Sequence, residues 1–310
     1  MGLVPPVFPA FPSPIPHLQS GFRPMDTARI AELLKPFLGP QDQTANAQHL
    51  LTSISTYIDI LLRWNARINL TAIRDPEDIV TRHFGESLFA ARHLFPMPSP
   101  VPPVVRGVGF AVSVTDPSSQ GSTHPADHPH AGGSPGGGPG GSHGGSAGAS
   151  TSGRAALQGR VTGNKEIGAL APVPVADVGS GAGFPGLPIK LWAPHISLTL
   201  IESNHKKAAF LREVTRALTL TDVNIQNARA ESLHSGSYDT VTLRAVERFE
   251  SILPIAAALV APGGRLALLI SSAQQSDASS ALANLAWSDP APVPQSRSRI
   301  LLMARRPMET

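Results

Sequence analysis

The sequence predicts an α/β protein: a mostly parallel sheet covered by helices on both faces, with a helical region ahead of it. Three observations carry this. From Val173 onward short apolar runs alternate with helical patterns, through "VPVADV", "ISLTLIE", "NHKKAAFLREVTRAL", "VNIQ", "DTVTLRA", "SILPIAAALVA" and "RLALLI", which is how parallel strands joined by covering helices read along a chain. The first of these strands runs directly into a glycine-rich turn, as a ligand crevice beyond the strand ends requires. Upstream, apolar residues recur at helical rather than strand spacing.

Taken in order, residues 1–24 are proline-rich and lack the basic start and continuous apolar centre of a signal peptide. They read as a disordered tail, with Met25 as the expected start of translation. In "QHLLTSISTYIDILLRW", Leu50, Leu51, Ile54, Tyr57, Ile58, Leu61 and Leu62 share one helical face. A second helix is expected within residues 74–95: Asp75 caps it, Pro76 takes the first helical position, and Glu77 and Asp78 lie at the positive end of the dipole. The polar link "NARINLTAI" joins the two. Residues 25–96 are therefore expected to form a helical region that packs with the core as one domain. Residues 97–172 change to "GGSPGGGPGGSHGGSAGAS" and similar, too polar to offset the entropy of ordering, and read as a disordered insertion. Its His124, Asp127, His128 and His130 read as part of a solvated linker rather than a metal site. Residues 173–310 form the core, ending in "RILLMA" (299–304), expected as an antiparallel edge hairpin with the segment near Trp287.

Composition narrows the chemistry. With 28 glycines and 31 prolines, the 310 residues are not all folded core. No cysteine is present, which excludes disulfides, thiolate zinc sites and a cysteine nucleophile. A net charge of +3 leans toward an anionic partner. No apolar run approaches the length that crosses a bilayer, so a cytoplasmic protein without a membrane partner is expected.

The stretch "VADVGSGAGFPGLPIKLW" carries the candidate site. Gly179, Gly181 and Gly183 stand at alternate positions, where the backbone can bend sharply and approach a ligand closely. Gly181, Gly183 and Gly186 also fit the dinucleotide pattern GxGxxG. Against that reading, the glycine run already begins at Gly179 and Pro185 interrupts it. Asp177, at the end of the first strand, would repel a pyrophosphate but attract the cationic end of S-adenosylmethionine. Glu202, 25 positions on at the end of the second strand, is placed to accept hydrogen bonds from ribose hydroxyls. Ala230 and Glu231, after the third strand, can line an adenine pocket. Arg244 ends the fourth strand and is expected to reach a ligand carboxylate or an RNA phosphate.

The strings "NLTAIRDPEDIVTRHFGESL", "VADVGSGAGFPGLPIK", "IESNHKKAAFLREV", "ARAESL" and "DTVTLRAV" resemble the ribosomal RNA small subunit methyltransferase G family, also called glucose-inhibited division protein B. The match covers roughly residues 45–95 and 173–270, and Asn69-Leu70-Thr71 and Arg82-His83 are among its distinctive parts. The resemblance implies a class I S-adenosylmethionine-dependent methyltransferase fold with an N-terminal helical extension. It also implies methyl transfer from S-adenosylmethionine to N7 of a guanine in 16S rRNA. The family's cofactor contacts fall on Gly179, Phe184, Glu202, Ala230, Glu231 and Arg244. Three departures stand out: the long insertion, Glu86 where the family more often has Asp, and "LALLISS" without the usual lysine-glycine pair, which, where that lysine touches RNA, implies either a lower affinity or another base in its place.

Guanine N7 carries an in-plane lone pair and no proton, so the reaction needs positioning rather than a general base. RNA contact is expected from Asn69, Thr71, Arg74, Arg82, His83, Lys206 and Lys207, with His83 alternatively bracing its helix; Arg92 and Arg212 read as solvated charge. The partner is 16S rRNA or the small subunit, the protein a monomer, and no metal is expected. Two rival readings remain at this level: a nicotinamide-dependent oxidoreductase, and a non-catalytic RNA-binding module on the same fold.

Overall fold

The computed structural model describes residues 24–39, 47–96, 171–244 and 249–308. The readings of the proline-rich tail and of the insertion fall almost entirely outside them.

The helical region opens with α1 (Thr27–Leu34), capped by Asp26, whose carboxylate accepts from the Ala28 amide at 3.2 Å. α2 (Ala47–Ile68) buries Ile54, Tyr57, Ile58 and Leu61 along the expected face. α3 (Pro76–Ile79) starts as its sequence dictates, with Pro76 in the first turn and the Asp75 carboxylate accepting from the amides of Glu77 (2.9 Å) and Asp78 (3.0 Å). The single helix expected from there to residue 95 is not regular. Val80–Gly85 forms a π-helical segment before the chain resumes as α4 (Glu86–Leu94). Widened turns of this kind re-aim side chains and recur at functional sites. Gly85 is what the packing permits at the end of the widening: a Cβ there would stand 2.7–2.8 Å from three carbons of the buried Phe37 ring.

The sheet is built from β1 (Pro174–Val178), β2 (Ser197–Ile201), β3 (Val223–Gln226), β4 (Tyr238–Arg244) and β5 (Val260–Ser271), with β6 (Ala286–Trp287), β7 (Ala291–Pro292) and β8 (Arg299–Arg305). Helices α5 (Gly186–Trp192), α6 (His205–Ala217), α7 (Phe249–Leu259) and α8 (Gln275–Ala281) connect them. The strand order is β3-β2-β1-β4-β5-β8-β6, with β7 also on β8; β1 to β5 pair in parallel and β8 runs antiparallel to β5. As the sequence suggested, β8 closes this margin of the sheet in an antiparallel hairpin with the segment at Trp287, β6 lying outside it. Its consecutive apolar residues Ile300, Leu301 and Leu302 are all buried, the pattern of a strand covered on both faces.

Alternation along the strands sorts side chains into two layers. Val175, Leu198, Leu200, Ala267, Leu269 and Leu301 pack on the side that holds α2, α4, α5 and α6. Ala176, Val178, Val241, Leu266, Leu268 and Leu302 pack on the side of α7 and α8. The strand order reverses between β1 and β4, and in such sheets the crevice beyond the carboxyl ends of those two strands is the ligand site.

Gly85→Ala tests the packing beneath the widened segment. Alanine would gain up to about 1 kcal/mol of helix propensity, but the overlap with Phe37 costs about 1–3 kcal/mol. A net fall in denaturation midpoint is expected, partly restored when Phe37→Leu is added, as read by equilibrium unfolding.

Candidate functional site

The glycine loop after β1 is shaped from both of its sides. The amides of Gly179 and Ser180 both donate to the Ile201 carbonyl (2.9 and 3.1 Å), and the Gly183 amide donates to the Ser180 carbonyl at 2.6 Å. Gly179, Gly181 and Gly183 take φ of 68°, 55° and 84°, a region that glycine enters without steric cost. The three positions differ in what surrounds them. A Cβ on Gly183 would collide with the Tyr57 hydroxyl, and one on Gly186 would stand 2.7 Å from Leu200 and 2.8 Å from the Asp177 carboxylate. At Gly181 it would meet nothing nearer than the Gly179 carbonyl at 3.7 Å. The loop is thus packed on its protein side and open on the other. Its bare backbone fits the close approach of a nucleoside cofactor such as S-adenosylmethionine.

Two carboxylates set this geometry. Glu202, just past β2, accepts from the Gly181 amide (2.9 Å) and, through its other oxygen, from the Asn204 amide (2.7 Å). Each oxygen keeps a lone pair, so Glu202 can still receive ribose hydroxyls while it pins the loop. Asp177 behaves differently from its expected role. It is fully buried, accepting from the Thr242 hydroxyl (2.8 Å) and the Gly186 amide (3.2 Å), so it braces the loop from behind instead of facing a sulfonium. Burial pushes its carboxyl up to about 6, against the lowering effect of those hydrogen bonds.

The helical region backs the packed side of the loop. The Tyr57 hydroxyl donates to the Ala182 carbonyl at 2.6 Å, and its ring stacks on Phe184 at 5.4 Å with 6° between planes. Phe184 in turn stacks on His83 at 4.7 Å and 20° and meets the edge of Phe84 at 5.0 Å. The ring of Phe184, expected against the cofactor, faces the helices instead, which leaves its backbone for such a contact.

His83 is buried, with both nitrogens engaged: Nδ1 lies 3.0 Å from Arg244 Nη1, and Nε2 2.8 Å from the Thr71 hydroxyl. Desolvation first, then the neighbouring guanidinium of Arg244, lowers its pKa to about 3, so it is neutral at pH 7. Direct RNA contact by its ring is thereby replaced by the bracing role. Arg244 is also not free for a ligand. Its Nη2 donates to Glu86 (2.8 Å) and to the Arg82 carbonyl (2.5 Å), with only 8% of the side chain exposed. Glu86 also meets Arg299 at 3.5 Å. Nothing in the local sequence around Arg244 announces a carboxylate 158 positions away.

The remaining expected residues divide by exposure. Ala230 is buried and Glu231 exposed in the 3-10 turn after β3. Asn69, with φ of 52°, accepts from Arg74 at 3.4 Å; both are exposed, as are Arg82 and Lys206, while Lys207 is half-buried. Lys206 and Lys207 open α6, where the Asn204 side chain caps their amides. Sequence reasoning missed three contributors: Tyr57, read only as part of an apolar face; Arg299; and Asn65, whose amide clamps Thr71. A cavity of about 300 Å³ lies at this edge, between Arg82, Glu86 and Arg299. A larger one, about 510 Å³, is at the opposite end of the strands, where the Lys190 ammonium donates to the carbonyls of Pro194 and Ile196. Lys190 thereby ties down the link between α5 and β2. Among the described residues no cluster could hold a metal ion, and no helix is long and apolar enough to cross a membrane.

A sheet of order 3-2-1-4-5 with an antiparallel strand beyond it, a glycine loop open at the switch point and an acid ending β2 together define a class I methyltransferase that uses S-adenosylmethionine. The family model for rRNA small subunit methyltransferase G (GidB) matches residues 50–99 and 164–290, and the chain belongs to that family. The chain is 31% identical over 219 residues to the ribosomal RNA small subunit methyltransferase G of Halorhodospira halophila, covering 71% of this chain and 68% of the relative. With the protein of the same name from Xanthomonas campestris pv. campestris the identity is 28% over 229 residues, covering 74% and 72%.

Gly181→Val should fill the open face of the loop without a collision at its Cβ, at a moderate cost in stability because valine is strained at φ 55°. Gly183→Ala should lower thermal stability through its collision with Tyr57. Melting curves and calorimetric titration with S-adenosylmethionine of both variants separate the two effects.

Acid should act on two groups with opposite sign. His83 binds no proton in the folded state until about pH 3 but does so near 6.5 when unfolded, so its contribution to stability is present above 6.5 and lost as pH falls. Asp177, raised to about 6, contributes stability below its ordinary 3.8 that is lost as pH rises through 6. Asp177→Asn should therefore make the loss of melting temperature between pH 6 and 4 steeper than in the parent.

Proposed function

We propose that this chain methylates N7 of a guanine in 16S rRNA, acting in the cytoplasm as a monomer. What supports the choice of N7 is the absence, among the described residues around the loop, of a side chain poised to take a proton. His83 is held neutral with both nitrogens occupied, and Asp177 lies under the loop with its oxygens engaged. A nucleophile that carries its own lone pair needs neither.

Bound S-adenosylmethionine supplies an electrophilic methyl group; the chain supplies geometry. Gly179, Gly181 and Gly183 give the cofactor bare backbone, Glu202 takes the ribose, and Ala230 and Glu231 border the adenine. Tyr57, Phe184 and Asp177 hold the loop from behind, so that the reacting atoms meet without reorganisation of the protein. The RNA is gripped through phosphates by Arg74, Arg82, Lys206 and Lys207, with Asn69 and Thr71 at the crevice rim. Arg299, the register partner of Ser271, brings a cation to the end of β5, where the family commonly carries a lysine.

The test is to incubate the protein with methyl-labelled S-adenosylmethionine and small subunits lacking the modification, digest the rRNA and identify the labelled nucleoside. Label in 7-methylguanosine is expected; cofactor binding without label would favour a binding module. Charge reversal at Arg74 or Lys207 should weaken RNA binding and make the dependence of log affinity on log salt shallower, by about one for each phosphate no longer neutralised.

A further inference from the structure

Resting on the guanine-N7 reading, we infer that Thr71 is the specificity-determining donor that reads O6 of the target guanine. The inference follows from the direction of each hydrogen bond around it. Arg244 can only donate, so its contact at 3.0 Å makes His83 Nδ1 an acceptor and leaves the ring proton on Nε2. That Nε2–H donates to the Thr71 hydroxyl oxygen at 2.8 Å, and the Ile73 amide donates to the same oxygen at 3.1 Å. Both lone pairs of the hydroxyl are taken. Its own hydrogen has no acceptor among the described residues and is left for a group outside the chain.

Thr71 cannot turn away from this arrangement. Asn65, itself buried, holds both backbone groups of Thr71, accepting from its amide at 2.9 Å and donating to its carbonyl at 2.9 Å. The residue is half-buried and one imidazole away from both Arg244, at the carboxyl end of β4, and Phe184 of the glycine loop. A fixed donor one imidazole from the carboxyl end of β4, where the crevice opens, matches what guanine displays beside N7. Guanine presents O6, an acceptor, where adenine presents an N6 amino donor. Guanine completes the hydrogen bond; adenine sets donor against donor, a mismatch that sites built on fixed polar groups reject strongly.

The experiment compares Thr71→Val and Thr71→Ser with the parent on small subunits bearing guanine, and on subunits carrying adenine at the position mapped by labelling. Valine should lower kcat/KM on guanine by about 10- to 100-fold, serine should restore it, and calorimetric affinity for S-adenosylmethionine should be unchanged in both. The ratio of guanine to adenine methylation should fall at least about tenfold in the valine variant, a readout that a bracing role for Thr71 would not move. Parent-like activity of the valine variant would overturn the inference. So would a lower rate with an unchanged ratio, which would put the hydroxyl on a phosphate or in the scaffold. If the parent enzyme itself yields no 7-methylguanosine, the guanine-N7 reading fails first and takes the inference with it.

Discussion

A guanidinium buried at the end of a strand must find a counter-charge, and Arg244 finds it across the domain in Glu86. The pair fixes more than its own energy. Glu86 begins α4, so the helical region has to dock its widened turn against the carboxyl end of β4, at the ligand edge of the sheet. The same guanidinium takes the Arg82 carbonyl and one nitrogen of His83, and Arg299 approaches Glu86 from the neighbouring hairpin. A single buried charge thereby draws together the sheet, the first helical layer and the last strand. Its Nε finds no partner among the described residues, a local cost carried by the three contacts of its other nitrogens.

From His83 the constraint passes to the cofactor loop through rings rather than charges. His83, Phe184 and Tyr57 stack in sequence, and Tyr57 ends the series on the Ala182 carbonyl. Aromatic stacking adds direction to area, with about 0.5–1.5 kcal/mol per pair beyond burial. The glycine loop and the carboxyl end of β4 consequently rest on one connected set of contacts, which suits methyl transfer through its dependence on alignment.

Much of this was readable from the sequence where a residue's own chemistry decides the outcome. Alternating apolar runs gave the parallel strands, Asp75-Pro76 gave the start of α3, and the positive φ of Gly179, Gly181 and Gly183 is why glycine occupies those positions. What depended on partners distant in the chain was not readable. Asp177 and Arg244 stand at strand ends, where exposure to ligand was the natural expectation, but Thr242 and Glu86 claim them. The π-helical segment leaves the apolar spacing of its helix nearly unchanged. Asn65, too, is an ordinary polar residue until the chain folds back six positions later.

The strand order has a consequence for how copies of this protein meet. A sheet is most adhesive along its margins, where unpaired amides and carbonyls can template another strand. Among the described residues the margins are β3, four residues long, and β6 and β7, two residues each, while the twelve-residue β5 lies between partners on both sides. Edges so short offer an incoming chain little to pair with. The arrangement that places β6 and β7 on β8 thus also guards a broad sheet against edge-to-edge association.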